Sequence, residues 1–200
     1  MNNIAVFASG NGSNFQAMID RVQAGNLAAN IALLVCDRPG AYCVERAKAA
    51  GVPDFAFNAK DYPSKAAFEQ EICQQLLKEQ VDWIVLAGYM RLIGPALLQE
   101  FAGRIINIHP SLLPQFPGKD AIGQALAAKV KWTGVTIHFV DEGMDTGPII
   151  VQERVRIEEG ETRESLQRKI QAIEHRLYPE ILQMLLTRGE VKHDEKTSTY

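Results

Sequence analysis

Short β-branched and apolar runs alternate with longer segments of helical period through the first half of the chain. Ile4 to Ala8, Ile31 to Cys36, Phe55 to Phe57, Trp83 to Ala87 and Ile105 to Ile108 predict strands. Asn14 to Ala24, Ala41 to Ala50, Ser64 to Lys78 and Pro95 to Phe101 predict the helices between them. Such alternation implies an α/β fold with a Rossmann-like open sheet, mostly parallel and covered by helices on both faces. The unbroken apolar character of Trp83 to Ala87 fits a central strand buried on both sides.

Beyond His109 the texture changes. A proline- and glycine-rich loop from Pro110 to Gly118 leads to a helical segment, Ala121 to Lys129, and then to two longer strand-like runs, Gly134 to Val140 and Pro148 to Ile157. These runs are expected to pair antiparallel at one end of the sheet, joined by the loop from Asp141 to Gly147. A last amphipathic helix from Thr162 to Thr187 carries Leu166, Ile170, Ile173, Leu177, Ile181 and Leu185 along one face. The expectation is one domain over residues 1–187 and a polar tail, 188–200, that frays. An apolar strand edge at residues 104–108 is a surface that a partner chain could cover, so monomer and homodimer both fit.

At 200 residues, 46% of them hydrophobic, the chain can bury a substantial single core. A net charge of −3 with acids and bases interspersed gives no electrostatic footprint for nucleic acid or an anionic membrane. The N-terminal run has neither the charged start nor the apolar length of a signal peptide or membrane span, which predicts a cytoplasmic protein. Cys36, Cys43 and Cys73 are odd in number and lack zinc-type spacing, so they read as buried free thiols. No histidine pair stands at metal-binding spacing, and no metal is expected.

Candidate chemistry concentrates at strand ends. Ile105 to Ser111 delivers Asn107 and His109 two residues apart at the end of a strand, hence on one face, with Pro110 closing the run. An amide that can donate to a developing oxyanion then stands beside an imidazole that can carry a proton near neutral pH, a pairing suited to acyl transfer or hydrolysis. Ser9-Gly10-Asn11-Gly12-Ser13-Asn14 runs from the first strand straight into a helix. It reads either as an anion site at a helix N-terminus or as an ordinary turn with a Ser or Asn cap. It is neither the dinucleotide Gly-x-Gly-x-x-Gly pattern nor a P-loop. Asp145, in a glycine-flanked loop between two strands, is either functional or a turn former. Of the remaining histidines, His138 in an alternating strand run suits a structural or supporting role, His175 a solvated helix face, and His193 the solvated tail.

Ser9 to Asn14, Leu86-Ala87-Gly88-Tyr89-Met90-Arg91, Asn107 to Pro114 and Asp141 to Pro148, in this order, resemble the folate-dependent formyltransferase family, and within it the phosphoribosylglycinamide formyltransferases, over residues 2–187. The resemblance implies the formyltransferase fold and the transfer of a formyl group from 10-formyltetrahydrofolate, a cosubstrate rather than a bound cofactor, to the primary amine of phosphoribosylglycinamide. It carries the catalytic roles to Asn107, His109 and Asp145, with Asp145 near the imidazole and favouring its charged form. Gly12, Ser13, Asn14 and Glu174 fall on ribonucleotide contacts. Met90, Arg91, Leu92 and Ile93 fall on the pterin pocket, joined by Asn107 and by Lys65, at a position that is arginine in some members. Lys119-Asp120-Ala121-Ile122 stands where some relatives carry histidines, so those imidazoles are not available here. Two relatives of the same chemistry differ in added domains: the formyltetrahydrofolate deformylases at the N-terminus and the methionyl-tRNA formyltransferases at the C-terminus. Neither addition has a counterpart in these 200 residues, so the ribonucleotide is the expected acceptor. A deformylase and a non-catalytic nucleotide-binding module are the alternatives.

Overall fold

The computed structural model describes residues 1–195, with side chains described through residue 188, as one seven-stranded sheet wrapped by helices. In chain order the elements are β1 (Asn2–Ala8), α1 (Ser13–Gln23), β2 (Ala29–Cys36), α2 (Tyr42–Ala50), β3 (Asp54–Ala56), a 3-10 turn (Ala59–Asp61), α3 (Lys65–Lys78), β4 (Trp83–Leu86), α4 (Pro95–Glu100), β5 (Ile105–His109), α5 (Ala121–Ala127), β6 (Trp132–Phe139), β7 (Ile149–Arg156) and α6 (Arg163–Glu195). Predicted boundaries fall close to these, apart from the unforeseen 3-10 turn and the end of α6. That helix continues past the expected stop at Thr187 to Glu195, because the polar residues after Gly189 are helix formers rather than breakers. The side chain of His193 and the whole of 196–200 lie outside the described residues.

The strand order is β3-β2-β1-β4-β5-β6-β7. β1 pairs in parallel with β2 and β4, and β4 in parallel with β5. β6 runs antiparallel to β5, and β7 antiparallel to β6. The run at 104–108 is therefore no free edge. β5 is paired on both sides, a long-range arrangement that its own residues do not encode.

Alternation along β1 shows how the core divides. Ile4, Val6 and Ala8 face one apolar layer with Phe15 and Met18 of α1, Val44 and Ala47 of α2, and Leu166, Ile170 and Tyr178 of α6. Ala5 and Phe7 face the other, with Phe68 and Ile72 of α3 and Leu97 of α4. Both faces of the central strands are thus dry, as their continuous apolar sequence requires. Chain order reverses about β1, and the crevice beyond the carboxyl ends of β1 and β4 is where an open sheet of this kind takes ligands. No helix among the described residues is long and apolar enough to cross a membrane.

Candidate active site

A cleft of about 660 Å³ opens at that crevice. Its floor is the loop after β1. Gly12 holds φ +77° and caps α1 without a side chain, leaving the first turn's N–H groups for a ligand. An added Cβ at Gly12 would stand 2.6 Å from the Cβ of Cys43, so conformation and packing both require glycine. Ser9, buried under the loop, ties it to the segment after β4: its N–H donates to Gly88 O (3.1 Å) and its Oγ accepts from the Met90 N–H (2.9 Å). At the α6 wall the Asn14 amide donates to Glu174 Oε2 (3.3 Å), while Asn14 Oδ1 is buried with no partner among the described residues. Burial pushes Glu174 up to about 7, a rise that the bond from Asn14 moderates.

The opposite wall is the segment Met90–Ile93, with Met90, Leu92 and Met144 exposed around the cleft. This segment is braced from behind. Arg91 Nε donates to Asp37 Oδ2 at 2.7 Å, its guanidinium lies over the Phe68 ring, and the buried Glu69 carboxylate accepts from the Gly94 N–H at 2.9 Å. Lys65 does not line the cleft; it pairs with Glu69 at 3.6 Å.

Asn107, His109, His138 and Asp145 meet between the two walls. β5 carries the first two on one face, and antiparallel register sets His138 of β6 directly opposite Asn107. His109 Nε2 lies 2.8 Å from Phe116 O, and since a carbonyl only accepts, Nε2 carries a proton. Nδ1 faces Asp145 Oδ2 at 3.4 Å. The loop that supplies Phe116 is pinned by buried Thr136, whose hydroxyl donates to Ser111 O (2.7 Å) and accepts from the Leu113 N–H (3.1 Å). His138 Nδ1 donates to Phe139 O at 2.7 Å, which leaves Nε2 to accept from the Asn107 amide at 3.2 Å. That amide also reaches Asp145 Oδ1 at 3.4 Å.

Asp145 sits at φ +57° in the loop between β6 and β7, far more engaged than a turn former. Burial works against its charge, but the adjacent His138 imidazole, the bond from the Gly118 N–H (2.8 Å) and the proximity of His109 outweigh burial and hold its carboxyl below the usual range. Gly147 closes the same loop, where a Cβ would strike Phe139 O at 1.8 Å.

All the site residues inferred from the sequence except Lys65 therefore share one cleft. Sequence reasoning gave His138 only a general supporting role; its pairing with Asn107 depends on the antiparallel register and has no local signal. It missed Tyr178 of α6, whose buried hydroxyl donates to Leu86 O (2.8 Å) and Ile106 O (3.2 Å) beneath the site. Two other expectations are corrected. His175 is half-buried rather than solvated, with Nε2 unpartnered among the described residues, and burial and the nearby charge of Arg46 lower its pKa. Cys73 is only partly buried, whereas Cys36 and Cys43 are fully enclosed and in contact at 3.5 Å. Among the described residues no group of three or more His, Cys, Asp or Glu is placed to hold a metal ion.

Residues 2–182 match the family model described as formyl transferase. The chain is 56% identical over 193 residues to phosphoribosylglycinamide formyltransferase of Bacillus subtilis, covering 95% of this chain and 99% of that one. Its fold superposes with a TM-score of 0.91 on glycinamide ribonucleotide transformylase 1 from Geobacillus kaustophilus, at 62% identity and covering 93% and 99% of the two chains. It superposes equally, at 0.91, on phosphoribosylglycinamide formyltransferase from Bacillus halodurans, at 58% identity over 94% and 97%.

Proposed function

The chain belongs to the formyl transferase family, and from that premise we infer how its cleft divides the labour of the reaction. The reaction is transfer of the formyl group of 10-formyltetrahydrofolate to the primary amine of 5'-phosphoribosylglycinamide, giving formylglycinamide ribonucleotide and tetrahydrofolate. Folate enters as a cosubstrate that already carries the labile carbon.

In our reading the ribonucleotide phosphate takes the N–H groups of Gly12, Ser13 and Asn14 at the start of α1, and Glu174 takes the sugar. The unpartnered Asn14 Oδ1, beside Glu174, supports the sugar's place: a buried acceptor with no partner calls for a donor, which a sugar hydroxyl supplies and a phosphate does not. The pterin lies along Met90, Arg91, Leu92 and Ile93, and Lys65, outside the cleft, meets the acidic tail of the folate. The amine attacks the formyl carbon between the two, forming a tetrahedral intermediate whose oxygen is negative; the intermediate collapses with cleavage of the C–N10 bond, N10 gaining a proton and the attacking nitrogen giving one up.

Asn107 and His109 stabilise that oxygen, each such donor being worth about 10²- to 10³-fold. Nε2 of His109 is committed to Phe116 O, so Nδ1 is the nitrogen free to pass a proton, with Asp145 beside it to stabilise the imidazolium. Proton transfer contributes roughly another 10²- to 10⁴-fold. The observation that carries the reading is the convergence of Asn107, His109 and Asp145 within hydrogen-bonding or ion-pair reach between two separate binding walls. On the same reading the enzyme works in the cytoplasm on small diffusible substrates, as a monomer or homodimer.

The test is a spectrophotometric assay of folate turnover with and without phosphoribosylglycinamide, repeated with His109→Ala. Turnover that requires the ribonucleotide and falls by about 10³-fold or more in the variant is expected. Turnover without the amine would instead indicate hydrolysis, and an active variant would remove His109 from the chemistry.

A further inference from the structure

The loop proposed to hold the phosphate is gripped from behind by a residue that no ligand in the cleft would touch. Arg46 of α2 donates from Nε to Asn11 O at 2.8 Å, from Nη2 to Asn11 Oδ1 at 2.8 Å, and from Nη1 to Gln16 Oε1 at 3.2 Å. The guanidinium fork thus spans the loop and the first turn of α1. One turn earlier on α2, the Cys43 N–H donates to Gly10 O at 3.0 Å. Arg46 lies outside the cleft, in a separate groove behind α1 that it shares with Ser13, Gln16 and His175.

Two physical consequences follow from this placement. A helix whose cap is Gly12 has no side chain of its own to fix its first turn, so the direction of its N–H groups depends on what holds the loop. Arg46 does so with a rigid planar fork. Its acceptors are three neutral oxygens, and among the described residues no carboxylate pairs with it within 4.0 Å. Its guanidinium lies over the Tyr42 ring at 4.7 Å, and its positive charge, unpaired by any carboxylate, stands behind the positive end of the α1 dipole.

We propose that Arg46 is a positioning residue for the ribonucleotide: it sets the aim of the Gly12–Asn14 N–H groups and adds an unneutralised charge behind the phosphate. This rests on the assignment of the phosphate to that loop, and the experiment separates the two. Steady-state kinetics with both substrates are compared for the wild type, Arg46→Met, Arg46→Lys and Gly12→Ala, with thermal midpoints recorded for each.

Loss of charge-assisted hydrogen bonds predicts a rise in ribonucleotide KM of roughly 10- to 100-fold in Arg46→Met, with kcat and folate KM within about threefold of wild type. Arg46→Lys restores charge without the fork, and its KM stays raised by about fivefold or more. A raised KM in Gly12→Ala with no change in Arg46→Met would overturn the proposal and leave the phosphate assignment standing. Unchanged ribonucleotide KM in both would overturn the assignment itself. Wild-type KM in Arg46→Lys would refute the positioning role in favour of charge alone. Parallel losses in kcat, both KM values and thermal midpoint in Arg46→Met would reduce Arg46 to a structural residue.

Discussion

At one end of the cleft, Gly12, Ser13 and Asn14 offer main-chain N–H groups at the start of a helix. At the other, Asn107, His109, His138 and Asp145 offer side chains, three of them titratable. The first end belongs to the parallel half of the sheet and depends on backbone direction. The second straddles the join between parallel β4–β5 and antiparallel β5–β6, and depends on which atoms carry protons. The contrast teaches that binding and chemistry are separable here: changes of backbone geometry should register in ribonucleotide KM, and changes of protonation in turnover.

The sharpest way to break that separation is Asp145→Asn. The variant keeps shape and loses charge, and turnover is expected to fall by roughly 10²- to 10⁴-fold while ribonucleotide KM moves by less than about threefold. Initial-rate kinetics over both substrates would read this, and a KM effect as large as the kcat effect would merge the two ends. Asp145 is held down, so the stability it lends is present above the unfolded value near 3.9 and is lost only as pH falls through its lower folded value.

Glu174, at the binding end, titrates the opposite way. Its carboxyl is raised to about 7, so its contribution is full below the unfolded value near 4.3 and is lost as pH climbs through 7. Denaturant unfolding at pH 5 and pH 8 should show a loss on the order of 3 kcal/mol that Glu174→Gln abolishes. The same pH slope in both proteins would mean that Glu174 ionises freely.

A smaller effect joins the two ends. The Tyr178 hydroxyl donates to carbonyls of both β4 and β5, so Tyr178→Phe should lower unfolding free energy by about 1–3 kcal/mol and disturb kcat and both KM values together. An effect on one parameter alone would place Tyr178 with one end only.

Much of this arrangement was legible in the sequence where chemistry is local. The turn at Ser9 to Asn14 announces itself by small residues between a strand and a helix, and Asn107 and His109 by their spacing on a strand. Asp145 could be singled out as a loop carboxylate, but its geometry with His109 came only through family resemblance, since no spacing encodes a contact across 36 positions. The rest depends on which strands become neighbours. Nothing within residues 104–108 says that β6 will cover that edge, and nothing near His138 says that Asn107 will lie opposite. His175 lies at the margin of the wet face of α6, where packing on α1 half-covers it, and no local pattern marks that margin. Arg46 and Tyr178 act through main-chain oxygens far along the chain, and an acceptor present in every residue leaves no mark in the sequence.

The register of β6 also has a bearing on inheritance. β6 holds an unbroken pairing with β5 from Thr136 to Phe139, but its pairing with β7 slips between Ile137 and His138. A slip of one residue against β5 would turn His138 to the opposite face, whereas a slip against β7 is already accommodated. Lineages of this protein should therefore gain and lose residues readily in the connection from β7 to α6 beyond Arg156, while a single insertion between His109 and His138 must be absorbed entirely by the segment 110–131 or lose the enzyme.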